Sequence, residues 1–174
     1  MLIKVSPHIS LSSLKISDAS DILALVNHNR ARLNQYLYWV EDVQCVDSAE
    51  QYIFERVNSG LNEALWFKIY FNNEMCGVFA VKSICPQMHV AELGYWLGDN
   101  AKGNGVISQI INYLPSLLSN TSAKTIEFRC LEQNHASIKV ALRAGATLVG
   151  SLPNFMVANG IKQNLNIYIK INSL

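Results

Sequence analysis

An apolar run, Val90–Leu97, stops at a short loop, Asn100-Ala101-Lys102-Gly103-Asn104-Gly105, and an amphipathic stretch over 106–118 begins directly behind it. This order predicts strand, glycine turn, helix. Two glycines let the backbone turn tightly, and a helix opening behind them leaves its first N–H groups unpaired and directed back into the loop. Such a terminus suits phosphate; the alternative is a plain tight turn ahead of a core helix. No Lys-Ser or Lys-Thr pair follows Gly105, so the lysine and magnesium-binding hydroxyl of a P-loop are missing. The dinucleotide fingerprint also fails, because it needs three glycines at wider spacing and an acidic residue about twenty positions on. What remains is a pyrophosphate held mostly by backbone.

The 174 residues are half apolar (50%) and only 16% charged, which predicts a single domain over 1–174 with a substantial core. Fourteen Lys plus Arg against thirteen Asp plus Glu give a net charge of +1, with no global basic field pointing to nucleic acid. Residues 1–5 lack the charged start and long apolar stretch of a secretory signal, and no run approaches a bilayer span. A cytoplasmic protein with no membrane partner is the expectation. Cys45, Cys76, Cys85 and Cys130 are widely spaced, and His8, His28, His89 and His135 form no ligand-spaced cluster with them, so neither zinc nor a disulfide framework is indicated.

Alternation predicts a first strand over 8–16, and Ser17-Asp18-Ala19-Ser20-Asp21 a helix start. Ile22, Leu25, Val26 and Leu33 then line one face, with Asn27, Asn29, Arg30 and Arg32 off it. A second short helix is expected over 33–39, and a third opening at Asp47-Ser48-Ala49-Glu50 and closed by Gly60. Residues 64–71 and 74–84 read as a hairpin joined at Asn72-Asn73. Pro115 should kink or shorten the end of the 106–118 helix. A strand over 124–131, a helix over 134–144 leaving through Gly145, a surface excursion over 153–160 and a last strand over 165–171 complete a mixed sheet with helices on both sides.

Three blocks in this order resemble the GCN5-related N-acetyltransferases. Glu92-Leu93-Gly94-Tyr95-Trp96-Leu97 is similar to the central strand of that family, Lys102-Gly103-Asn104-Gly105-Val106 to its pyrophosphate loop, and Asn134-His135-Ala136-Ser137 through Arg143-Ala144-Gly145-Ala146 to its last cofactor helix. A fourth block, Leu33-Asn34-Gln35-Tyr36-Leu37-Tyr38-Trp39-Val40, resembles the aromatic substrate segment of the ribosomal-protein N-acetyltransferases within it. The resemblance implies an α/β (α+β) acyl-CoA N-acyltransferase fold with a splay after the central strand. It also implies acetyl-CoA as donor, with pantetheine pairing along Tyr95, Trp96 and Leu97. The pyrophosphate would lie on amides from Lys102 to Val106, with Asn134 helping to hold the cofactor. Two positions depart from the pattern. Asn100 stands where Gln or Arg usually opens the loop, and Met156 stands where some ribosomal-protein acetyltransferases place a carboxylate.

The implied chemistry is direct attack of a neutral amine on the acetyl thioester through a tetrahedral intermediate. The ammonium must lose a proton, the oxyanion needs a donor, and the thiolate takes a proton. Glu92 is the expected base, its alternative being a structural ion pair; a backbone amide near Leu97 is the expected oxyanion donor. Ser137 matches the position that protonates the thiolate, its alternative being a hydrogen bond in the first helical turn. His135 reads as a surface or cap-adjacent residue. Tyr36, Tyr38 and Trp39 are expected in the acceptor pocket, unless they pack under a short helix. The acceptor is an amine, a ribosomal protein N-terminus or a small molecule, and the resemblance allows a homodimer. A catalytically silent acyl-CoA-binding module and a cofactor-free interaction domain are the competing classes.

Overall fold

The computed structural model describes residues 2–158 and 160–171. The chain runs β1 (Leu2–Lys4), β2 (Ile9–Ser13), a 3₁₀ turn (Ile16–Asp18), α1 (Ala19–Leu33), a second 3₁₀ turn (Tyr38–Glu41) and α2 (Val46–Val57). Strands β3 (Leu65–Phe71), β4 (Glu74–Cys85) and β5 (Val90–Leu97) follow, then a 3₁₀ turn (Asp99–Ala101), α3 (Val106–Leu117), β6 (Thr125–Leu131), α4 (His135–Arg143), β7 (Thr147–Ala158) and β8 (Ile161–Ile171). The eight strands form one sheet in the order β1-β2-β3-β4-β5-β6-β8-β7. Every neighbouring pair is antiparallel except β5 and β6, whose parallel pairing needs a crossover that α3 supplies. Asn72 and Asn73 turn the β3–β4 hairpin at φ 51° and 68°, a left-handed geometry that asparagine tolerates.

Each face of the sheet is covered. Ile107, Ile110, Ile111 and Leu114 of α3 pack with Phe67, Phe79, Leu93 and Phe128 on one face; Ile22 and Val26 of α1 and Ile53 of α2 pack with Val78 and Trp96 on the other. Burying one such side chain contributes about 1.5–3 kcal/mol. A buried ion pair fastens the start of α1 to β3, Lys68 Nζ lying 2.7 Å from Asp18 Oδ1. Burial alone would lower the Lys68 pKa, but the hydrogen bond and charge of Asp18 outweigh it and raise the value.

Several local expectations are corrected. The N-terminal strand expected over 8–16 is the shorter β2, because Ile16 belongs to the 3₁₀ turn. No helix spans 33–39; α1 ends at Leu33, and only Tyr38–Glu41 turn as 3₁₀. Helix α2 is capped two residues earlier than expected. Cys45 is its N-cap, Ser48 Oγ accepts from the Gln44 and Cys45 N–H groups, and the helix stops at Val57, short of Gly60. Pro115 sits in the last turn of α3, which ends at Leu117. The expected excursion over 153–160 is largely strand: Met156 to Ala158 pair with β8, and the break at Pro153 is a register shift in which Asn154 takes φ 51°.

Candidate functional site

The parallel ladder between β5 and β6 is short. It joins Val90–Leu93 to Thr125–Phe128 and stops, while β6 continues against β8 and β5 against β4. The strands therefore part at Gly94, opening a cleft edged by Tyr95, Trp96 and Leu97. Gly98 N–H donates to Cys76 O at 2.7 Å, so the antiparallel alternation turns the N–H and C=O of Tyr95 and Leu97 away from β4 and into the cleft. Arg32 occupies one of these groups: its Nη2 donates to Leu97 O at 2.6 Å, and its Nε lies 2.7 Å from Asp99 Oδ1. Asn29, expected off the core face of α1, is buried instead. Its Oδ1 accepts from Asp99 N–H at 2.9 Å, tying α1 to the end of β5.

Two helix starts face this cleft. Gly103 and Gly105 take φ of 80° and 67°, conformations that side chains resist, and a Cβ at either would meet nothing within 4 Å. Gly105 is the N-cap of α3 and no side chain caps that end, so open space adjoins unpaired N–H groups. That is a cradle for an anion. Opposite, Asn134 caps α4, its side chain accepting from Ser137 N–H at 3.2 Å. A cavity of about 620 Å³ joins these parts, lined by Tyr36, Tyr95, Trp96, Leu97, Lys102, Gly103, Gly105, Val106, Asn134 and Ser137. Asn104 is absent from that lining, and its side chain donates to Lys102 O at 3.2 Å. Trp96 contributes to the wall, but its indole is buried on the α1–α2 face and donates to Tyr52 Oη at 3.1 Å. Arg32, Lys139 and Arg143 line the same cavity without having been singled out there. The i, i+4 spacing of Lys139 and Arg143 on α4 was the available signal.

A second cavity, about 330 Å³, lies across the splay and is lined by Glu92, Lys82, Arg129, Tyr38, Phe155 and Met156. Tyr36, Leu37, Tyr95, Asn134 and Ser137 belong to both walls, so the two cavities meet there. Glu92 Oε1 pairs with Lys82 Nζ, while Glu92 Oε2 lies 3.7 Å from Arg129 Nε, which sits closer, at 2.6 Å, to Glu127 Oε1. Tyr38 is 73% exposed at the mouth. Trp39 lies in neither wall. Its ring is buried, 4.3 Å from Tyr52 and 5.7 Å from Trp96 between ring centroids, because the 3₁₀ turn directs it into the core. Leu37 stands in the walls instead. His135 is exposed in the first turn of α4, and Cys130 is buried beneath the splay, burial pushing its thiol up to about 12.

The sequence model of the GNAT acetyltransferase domain matches residues 8–147. The chain belongs to the GNAT acetyltransferases. It is 29% identical over 173 residues to the ribosomal-protein-serine acetyltransferase of Escherichia coli (strain K12), covering 97% of this chain and 96% of that protein. Among solved structures, it resembles a RimL ribosomal L7/L12 α-N-protein acetyltransferase in complex with coenzyme A, with TM-score 0.89 and 27% identity over 98% of each chain. It also resembles the microcin C7 self-immunity acetyltransferase MccE in complex with acetyl-CoA and AMP, with TM-score 0.86 and 28% identity, covering 98% of this chain and 96% of that one. This GNAT chain is an acetyl-CoA-dependent N-acetyltransferase. The open cradle at Gly103 and Gly105 and the edge of β5 that β6 leaves uncovered, Leu97 O apart, fit the pyrophosphate and the amide-bearing arm of that cofactor.

Proposed function

We propose that this GNAT enzyme acetylates the N-terminal α-amine of a protein, a ribosomal protein in the first instance, within the cytoplasm. The observation that carries the reading is the meeting of the two cavities at Tyr36, Tyr95 and Ser137, with a carboxylate, Glu92, in the cavity away from the glycine cradle. Similarity to the E. coli ribosomal-protein-serine acetyltransferase over nearly the full length supports the acceptor class. In this reading the cofactor-binding residues are Tyr95 through the β5 backbone groups that face the cleft, Trp96 and Leu97 through the cavity wall, Lys102 to Val106 through the loop, and Asn134. Tyr36 and Tyr38 flank the acceptor. Lys82 holds Glu92 Oε1, leaving Oε2 as the oxygen that takes the proton from the incoming ammonium. The neutral amine then attacks the acetyl carbon through a tetrahedral intermediate, the Leu97 N–H facing the developing oxyanion. The C–S bond breaks as Ser137 Oγ–H gives its proton to the departing sulfur, and the surplus proton on the new amide nitrogen restores the Ser137 hydroxyl. A modest base suffices for this acceptor, because an α-amine has a pKa of about 7.7–8.0 against about 10.4 for lysine. That accords with an apolar Met156 in the acceptor cavity.

A homodimer belongs to the same reading. Edge strand β7 exposes Leu148, Val149, Leu152 and Val157, apolar side chains open to a second copy, and sedimentation velocity is expected to show a dimer, a monomer at all concentrations overturning it. A small-molecule amine is the second reading, favoured by the likeness to MccE, whose structure holds AMP beside acetyl-CoA. Matched peptides separate the two: one with a free N-terminus and no lysine, the other N-terminally blocked with an internal lysine. The proposal expects the first to be acetylated preferentially. Preference for the blocked peptide, or reaction of a small amine while both peptides stay unmodified, overturns it.

A further inference from the structure

Tyr95 carries a buried hydroxyl that the fold itself does not use. The oxygen is closed off from solvent and makes no hydrogen bond of full geometry among the described residues, the Ser137 side chain being the group within interacting reach. Its ring lies nearly parallel to Phe79, centroids 6.5 Å apart and planes 8° from one another. An unpaired buried hydroxyl costs roughly 1–3 kcal/mol, so for packing alone phenylalanine would serve better here. The location supplies a reason for the phenol. Tyr95 follows the point where β5 parts from β6, lines both cavities, and directs its hydroxyl toward the Ser137 side chain at the start of α4. Burial, reinforced by the neighbouring Cys130, raises its pKa far above the usual tyrosine range. The group therefore remains a neutral donor throughout the working pH range.

Ser137 needs such a donor. Its backbone N–H is spent on Asn134 Oδ1, while its hydroxyl has one hydrogen and two acceptor lone pairs and is free to rotate. A hydroxyl that rotates freely points its hydrogen at the reacting sulfur only part of the time. We propose that Tyr95 is a positioning residue for acetyl transfer: its O–H is donated to Ser137 Oγ in the loaded enzyme, fixing the Ser137 hydrogen toward the departing sulfur. No proton leaves Tyr95. The contact bridges β5 and α4 across the splay, joining the strand that binds the pantetheine arm to the helix that carries the donor. This role rests on the part assigned to Ser137 above.

Tyr95→Phe, Ser137→Ala and the double variant test it, each assayed for kcat, for KM of acetyl-CoA and for Tm. Tyr95→Phe is expected to lower kcat about five- to tenfold, as loss of one orienting hydrogen bond does, with KM unchanged. Its Tm should hold or rise, since an unpaired buried hydroxyl is removed; a purely structural hydroxyl would lower Tm and leave kcat alone. In the Ser137→Ala background the second substitution should cost nothing further. Parental kcat in Tyr95→Phe, a fall in Tm without loss of kcat, or a double variant slowed by the product of the single effects overturns the proposal. Parental kcat in Ser137→Ala removes the Ser137 role and the positioning role together. A slow Ser137→Ala beside an unimpaired Tyr95→Phe removes only the latter.

Discussion

Glu92 is engaged before any substrate arrives, and its engagement is lopsided. Lys82 holds one carboxylate oxygen, whereas Arg129 stands 3.7 Å from the other and spends its short contact on Glu127. In the proposed reaction an incoming ammonium competes only with a long, partly screened contact for Oε2. Glu92→Gln is expected to lower kcat about a hundredfold, within the range for general-base catalysis, with the Kd for acetyl-CoA unchanged. A parental kcat would return Glu92 to a structural role. Among single residues, those whose type the local backbone demands were readable in the sequence, and those whose side chain reaches across the fold were not. Gly103, Gly105 and Asn134 were legible because their types are demanded locally, by positive φ or a helix cap. Arg32 reads in sequence as one more solvated helix charge; only the approach of α1 to the end of β5 makes it a partner of Leu97 and Asp99. Trp39 misled because an aromatic next to Tyr36 and Tyr38 shares their segment but turns inward.

At the scale of elements, the unit formed by β5, the glycine loop and α3 carries the cofactor reading. A side chain at Gly103 or Gly105 would face strain of roughly 1–2 kcal/mol from left-handed geometry, and at Gly103 a carboxylate would also stand in the anion cradle. Gly103→Ala is expected to fold with slightly reduced Tm and to weaken CoA binding modestly. Gly103→Glu should match its Tm yet lose at least a hundredfold in CoA affinity by calorimetry. Equal affinity in the two variants would move the phosphate site elsewhere. β5, α3 and the Asn72-Asn73 hairpin were readable because their periodicity is unbroken and their turn residues have few other uses. Strand β7 was not. Gly150, Pro153 and Asn154 interrupt its alternation with two register shifts, which an edge strand accommodates because it satisfies only one neighbour. The same break brings Phe155 and Met156 to the cavity that holds Glu92, so the least regular strand contributes to the candidate site.

Over the whole molecule, one departure from ordinary sheet pairing organises the rest. The splay between β5 and β6 cuts through the sheet, α3 and α4 present their N-termini to one side of it, and the 3₁₀ segment after α1 and irregular β7 supply the other. The proposed function requires a cofactor in one cavity to reach an amine in the other where the two meet at Tyr95 and Ser137. A conjugate of coenzyme A joined through an acetyl bridge to the α-nitrogen of a short peptide would occupy both at once, and its Kd is compared with that of coenzyme A. Binding at least tenfold tighter is expected for the conjugate, with the gain reduced when the peptide is joined through a lysine side chain. A conjugate that binds no tighter than coenzyme A would contradict the proposed function.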